Sequence, residues 1–135
     1  MPVNLDAPIK DELLPISGIK LGITSAGIKT EGRADLVLIE IADGTTSSAV
    51  YTQNAFCAAP VTLAKQHQEQ TSPRFLLVNS GNANAGTGEA GMLAAQQCCQ
   101  TVAELSGLSA EAVLPFSTGV IGQQLPKDKN NQAMP

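Results

Sequence analysis

Apolar and polar residues in the first third of the chain alternate in a way that predicts strands. Residues 16–30 alternate apolar and polar positions with interspersed glycines, which indicates an irregular strand. Residues 35–42 (DLVLIEIA) predict a second strand, and the Asp43-Gly44 pair after it is typical of a hairpin turn. Residues 47–52 (SSAVYT) would then be the antiparallel partner of this strand.

The middle of the chain predicts a short helix and a buried strand. Residues 60–68 begin with proline, which favours the first turn of a helix. Residues 74–79 (RFLLVN) form a short apolar run, which predicts a strand buried on both faces of a sheet.

A longer helix and a last strand are predicted in the second half. Apolar residues recur at helical spacing over residues 88–106. Thr87 is the expected N-terminal cap of this helix, and Gly107 is the expected stop. Residues 112–117 (AVLPFS) predict a strand. Mixed strands and helices of this kind indicate an α/β (α+β layered) fold.

Composition agrees with a folded chain. The 135 residues include 43% apolar and 15% charged residues, which excludes a disordered protein. The length corresponds to one domain, so residues 1–135 are expected to form a single domain portion.

Charge and hydropathy exclude several classes of partner and location. The net charge is -4 and no lysines or arginines cluster, so a nucleic-acid partner is not expected. No apolar run approaches the roughly 20 residues of a membrane span. The acidic start of the chain, with Asp6, Asp11 and Glu12, differs from a signal or transit peptide. We therefore expect a cytoplasmic protein.

Cysteines and histidine give no metal or disulfide pattern. Cys57, Cys98 and Cys99 are odd in number and two are adjacent, which argues against a disulfide framework. His67 is the only histidine, too few ligands for a zinc site, and its polar surroundings predict that it faces solvent.

A glycine-rich segment at residues 81–91 leaves two interpretations open. Its spacing resembles nucleotide-binding loops, but the lysine of a P-loop is missing and the nearest ribose-binding acid would be Glu111. A stand-alone small-molecule or nucleotide-binding module is therefore the alternative function. An architectural loop is favoured, because Asn79, Asn82 and Asn84 can bond their own backbone.

Residues 117–122 (STGVIG) form a second candidate site for a chemical function. At a strand end, a hydroxyl and a flexible backbone N–H of this segment can converge on one point. Donors placed in this way form an oxyanion hole, which stabilises the charge that develops on a carbonyl oxygen.

Six short blocks together resemble the ornithine acetyltransferase family, whose bifunctional members are glutamate N-acetyltransferases of arginine biosynthesis. In family order, within residues 15–126, the blocks are 26–29 (AGIK), 32–36 (GRADL), 50–54 (VYTQN), 58–61 (AAPV), 79–88 (NSGNANAGTG) and 117–122 (STGVIG). Each block is short, but their joint occurrence is specific.

The resemblance implies a fold and a reaction. The fold would have sheets sandwiched by helices, as in self-processing aminopeptidases. Acetyl would move from N-acetylornithine to glutamate through an acyl-threonine, and bifunctional members also take it from acetyl-CoA. A β chain, released by self-cleavage, would carry the N-terminal threonine nucleophile in an α2β2 heterotetramer. Thr118 and Gly119 match the family's oxyanion hole, and no cofactor is expected.

The family's downstream motifs are missing from this sequence. No Ala-Thr-Met-Leu cleavage site and no Lys-Gly substrate motif occur. We therefore expect an N-terminal α-chain portion, from a shortened chain or a broken gene, which cannot turn over alone because it lacks the nucleophile. A self-processing amidohydrolase and a purely structural remnant that assembles with a partner chain remain as further alternatives.

Overall fold

The computed structural model of the chain describes residues 8–134. Its strands and helices follow the order β1 (Ile19–Thr24), β2 (Leu36–Ile41), α1 (Ala59–Gln70), β3 (Phe75–Asn82), α2 (Gly88–Ser106), β4 (Val113–Val120) and α3 (Lys127–Ala133), with short 3-10 turns at Lys10–Glu12 and Ala110–Ala112.

The four strands form one mixed sheet in the order β1-β2-β3-β4. β1, β2 and β3 are antiparallel neighbours, whereas β3 and β4 run parallel and are connected through α2. Parallel neighbours need such a crossover, because a tight turn cannot join them. The predicted α/β class is confirmed, and both β3 and β4 end at the same edge of the sheet.

The predicted hairpin after β2 is wrong. Gly44 does make a turn, with a φ of 78°, but no strand follows it within residues 45–52. β2 is bordered by β1 on one side and by β3 on the other. Both hydrogen-bonding edges of β2 are therefore occupied, and residues 47–52 cannot pair with it.

The three helices of the described region cover one face of the sheet. Leu77 and Val113 join Leu63 of α1 and Ala95 and Cys99 of α2 in one buried cluster. Small side chains on α2 let it lie close to the strands, which explains how a chain poor in aromatics fills its core. None of these helices is long and apolar enough to cross a membrane.

The opposite face of the sheet is apolar but open. Along β1, Leu21 and Ile23 are each 66% exposed, and Phe116 on β4 is 44% exposed. Leu76 and Val78 on β3 are only half-buried, so the expected burial of this strand on both faces is wrong for the described chain. Residues 8–134 thus contain one layer of helices on one sheet. The resemblance implied sheets sandwiched by helices for the complete fold.

Helix α2 has the predicted bounds, but its N-terminus is not capped as predicted. Thr87 is at the N-cap position, yet its side chain makes no capping hydrogen bond; its hydroxyl donates to Asn84 Oδ1 at 2.8 Å. Gly107 ends the helix in the left-handed conformation, with a φ of 70°, as predicted. The capping role of Thr87 was therefore predicted wrongly, whereas the end of α2 at Gly107 was predicted correctly.

Two leucines on opposite faces of the sheet should differ in their contribution to stability. Leu77 is 4% exposed and faces the helices, so Leu77→Ala should lower the free energy of unfolding by about 2–5 kcal/mol. Leu21 lies on the open face, so Leu21→Ala should cost about 1 kcal/mol or less. Urea unfolding of the isolated chain measures both. An equal loss for the two variants would show that the open face is covered.

Candidate active site at the ends of β3 and β4

Thr118 and Gly119 lie at the C-terminal end of β4 and are both exposed. Their partners across the ladder are Ser80 and Gly81 of β3. Because side chains alternate along a strand, Thr118 shares the open face of the sheet with Phe116. The two predicted oxyanion donors are therefore accessible, although their role stays a prediction.

A β-bulge interrupts the ladder at this point. Asn82 is opposite both Thr118 and Val120, so the register shifts directly after the pair formed by Gly81 and Gly119. Regular contact resumes where Ala83 N–H donates to the carbonyl of Val120 at 2.9 Å. Bulges bend a strand, re-aim its groups and occur often beside active sites.

The bulge brings two glycine backbones into contact. Gly119 has a φ of 134°, and a Cβ atom there would lie 2.4 Å from the carbonyl carbon of Gly81. Gly81 itself has a φ of 104°, and its missing Cβ would lie 3.0 Å from the Cβ of Lys29. Both positions therefore require glycine for two reasons, the left-handed backbone and the lack of space.

Residues 26–29 border this edge, which the sequence alone did not indicate. The carboxylate of Asp35 accepts hydrogen bonds from the N–H groups of Ala26 (2.6 Å) and Ile28 (2.7 Å). The backbone carbonyl of Asp35 accepts a bond from Ser80 N–H at 2.8 Å. Asp35 thus ties the segment before β2 to the end of β3 and places Lys29 against Gly81. Residues 26–29 were noted in the sequence only as the AGIK block of the family resemblance, which does not reveal where they lie in space.

The glycine-rich loop is held by buried asparagines. Asn84 is fully buried and adopts a φ of 46°. Its Nδ2 donates to the carbonyl of Gly91 (2.8 Å), and its Oδ1 accepts from Thr87. A Cβ on Gly91 would lie 1.8 Å from the Thr87 hydroxyl oxygen, so glycine is required there. These bonds support the architectural interpretation of the loop.

The same contacts weigh against nucleotide binding. A phosphate-binding loop offers free backbone N–H groups to its ligand. Here the N–H groups of Ala83 and Asn84 are used by Val120 and by the side chain of Asn82. Glu111 precedes β4, so it lies at the edge of the sheet opposite the loop and cannot serve as the ribose-binding acid.

An apolar cleft of about 290 Å³ runs along β4 and reaches Ser117, the residue before Thr118. Val50, Val61 and Phe116 are among its lining residues. A larger cavity of about 520 Å³ contains Asp43 and Arg74, but it lies at the opposite edge, near the start of β3. The cleft beside Ser117 is therefore the better candidate for holding an apolar part of a substrate near Thr118.

The cysteines and the histidine have structural positions. Burial raises the pKa of Cys98 to about 11 and that of Cys99 to about 12. His67 is 6% exposed and its Nδ1 lies 2.8 Å from the carbonyl of Val113, so the prediction that it faces solvent is wrong. The helix α1 turns this side chain toward β4. Residues 8–134 contain no group of three or more His, Cys, Asp or Glu side chains that could hold a metal ion.

The sequence matches one protein family along most of its length. The sequence model of the ArgJ family matches residues 20–135. "Arginine biosynthesis bifunctional protein ArgJ" of Methylococcus capsulatus is 58% identical over 123 residues, which are 91% of this chain and 30% of that protein. The protein of the same name from Pseudomonas syringae pv. tomato is 55% identical over 122 residues, 90% of this chain and 30% of its own length. The chain thus spans about 30% of the length of these curated relatives.

Two solved structures share the fold. The arginine biosynthesis bifunctional protein argJ of Bacillus halodurans superposes with a TM-score of 0.80 at 33% identity, covering 86% of this chain and 61% of that chain. Ornithine acetyltransferase of Mycobacterium tuberculosis, solved as a complex with ornithine, gives a TM-score of 0.80 at 35% identity, covering 86% and 63%.

The contact between the two glycines predicts a large effect at Gly119. Gly119→Ala should lower the free energy of unfolding by about 3 kcal/mol or more, from backbone strain and overpacking together. Gly122→Ala is the matched control, because Gly122 also has a positive φ (77°) but open space around it. Strain alone should cost about 1–2 kcal/mol there. Equal losses in urea unfolding would contradict the close approach.

The raised cysteine pKa values predict selective thiol chemistry. At pH 8 the thiols of Cys98 and Cys99 remain protonated, because their pKa values of about 11 and about 12 lie above this pH. Of the three cysteines, the half-buried Cys57 should be the one that a disulfide reagent modifies in the native chain. In urea all three should react. Rapid labelling of Cys98 or Cys99 under native conditions would refute their burial.

Proposed function

The chain belongs to the ArgJ family, and we propose that it supplies the oxyanion hole of an acetyltransferase that moves acetyl from N-acetylornithine to glutamate in arginine biosynthesis. Because the chain spans about 30% of its curated relatives, the activity, the substrates and the partners of the whole protein are all part of this proposal. The names of the relatives and the fold shared with an ornithine-bound acetyltransferase support it.

The observation that carries the proposal is the exposed bulge at the end of β4. It leaves the Thr118 hydroxyl and the Gly119 backbone next to each other on an accessible edge. The absence of a side chain on Gly119 lets its backbone pack directly against Gly81, which fixes the position of this donor. Fixed donors of this kind are effective because they need no reorganisation when charge develops.

The proposed chemistry is acyl transfer in two steps. A threonine oxygen from a β chain attacks the acetyl carbon of N-acetylornithine, and Thr118 and Gly119 stabilise the resulting oxyanion. The C–N bond then breaks and ornithine leaves as an amine that has taken up the proton released by the threonine. The amine of glutamate attacks the acyl-threonine in the same oxyanion hole, which restores the threonine and gives N-acetylglutamate.

The further parts of the proposal concern assembly and setting. Self-cleavage would release the β chain and its N-terminal threonine, giving an α2β2 heterotetramer in the cytoplasm. Acetyl-CoA would act as a second acetyl donor in a bifunctional enzyme, with no resident cofactor. Alone, the described chain would be inactive, since the nucleophile lies outside it.

A chimaera provides the test of this function. Residues 20–135 replace the matching part of the Methylococcus capsulatus relative, and release of ornithine from N-acetylornithine is measured with glutamate or water as the acceptor. Transfer to glutamate supports an acetyltransferase, whereas preferential hydrolysis would favour an amidohydrolase. No turnover at all would refute the proposal.

Within this chimaera, Thr118→Ala should lower kcat by about 10²-fold, the typical loss on removal of one oxyanion donor. Thr118→Ser is the matched control, because it keeps the hydroxyl and should retain most of the rate. Thr118 is exposed, so neither change should impair folding. A Thr118→Ala rate equal to the unmodified rate would remove Thr118 from the mechanism.

A further inference from the structure

Two buried asparagines of β3 bond to the segment that carries Thr118 and Gly119. Asn79 and Asn82 are each 4% exposed. On one side, the hydroxyl of Ser117 donates to Oδ1 of Asn79 at 2.5 Å. On the other side, Nδ2 of Asn82 donates to the carbonyls of Gln123 and Gln124, each at 3.1 Å.

A fourth hydrogen bond joins the two asparagines to each other. Nδ2 of Asn79 donates to the backbone carbonyl of Asn82 at 2.8 Å. The bonds therefore form a closed path from Ser117 through Asn79 and Asn82 to residues 123–124. Residues 118–122 lie between its two ends, and we name this set of bonds the asparagine clamp.

The segment inside the clamp needs an external restraint. It contains Gly119 and Gly122, which have little intrinsic conformational preference, and residues 118, 119, 121 and 122 are exposed. An oxyanion hole works only if its donors are already fixed before the charge forms. Backbone hydrogen bonds hold the segment at Val120 and Gly122. Hydrogen bonds in a buried environment are strong and directional, so the clamp adds rigidity at both ends of the segment.

We propose that Asn79 and Asn82 are positioning residues, which fix the spacing of the Thr118 and Gly119 donors through the asparagine clamp. This inference rests on the proposed function of those donors. Neither asparagine contacts the substrate in this mechanism; each acts through the backbone of residues 117–124.

Exchange of one carboxamide nitrogen for oxygen tests the clamp. Asn82→Asp keeps the shape and the acceptor for Asn84 N–H, but it removes the donor to Gln123 and Gln124. Asn84→Asp is the matched control, because Asn84 is also buried and loses a comparable bond, to Gly91, that does not reach residues 117–124.

The first readout is the backbone order of the isolated chain by NMR relaxation. We expect order parameters near 0.85 for residues 118–122 in the unmodified chain and in Asn84→Asp, and values below about 0.6 in Asn82→Asp. Unchanged order parameters in Asn82→Asp would overturn the proposal. If this variant does not fold, Ser117→Ala cuts the other end of the clamp without a buried charge and should loosen the same residues.

The second readout is kcat in the chimaera. Asn82→Asp should lower kcat about 10-fold in the Thr118-containing enzyme, but about 3-fold or less in the Thr118→Ala background, since groups that act as a unit are non-additive. The same fold-change in both backgrounds would indicate a merely structural role and overturn the proposal. A Thr118→Ala enzyme with the unmodified rate would instead refute the proposed function, so the two failures are distinguishable.

Discussion

The contact between the backbones of Gly81 and Gly119 is the constraint on which the rest of the site depends. Parallel pairing of β3 with β4 brings these residues together, and the register shifts directly after them, at Asn82. A single methyl group at Gly119 would lie 2.4 Å from the neighbouring backbone. The local geometry therefore requires glycine, and the exposed edge with Thr118 is a direct result of that packing.

Buried polar groups rather than apolar packing hold this edge together. Asn79, Asn82 and Asn84 are almost fully buried, and each satisfies its carboxamide with bonds to neighbouring chain segments. The buried carboxylate of Asp35 likewise accepts hydrogen bonds from the backbone of Ala26 and Ile28, in the segment before β2. Unsatisfied groups in such positions are costly, so a network of this kind fixes one arrangement of several loops. The flexible glycines can then be used where close approach is needed, without loss of order.

The two faces of the sheet differ in a way that bears on the proposed function. Helices pack on one face through Leu77 and Val113, whereas the apolar residues of β1 and Phe116 of β4 are exposed on the other. Thr118 lies on this second face, so its hydroxyl and the open apolar surface are on the same side of the sheet. An exposed apolar area of this kind is typical of an interaction surface, and it is compatible with a second chain that brings the nucleophile to the site.

The sequence by itself determined the elements and the family. Apolar periodicity predicted α2 and the strands β2, β3 and β4, because these patterns depend only on local spacing, and six short blocks identified the family to which the chain belongs. The pairing partner of β2, the buried position of His67 and the role of the Thr87 hydroxyl were predicted wrongly. Each depends on which segment lies next to another in space, which local spacing does not encode. Only the tertiary structure decided that Gly81 touches Gly119, that Lys29 borders them and that two asparagines hold the segment around Thr118, since these contacts join residues far apart in the chain.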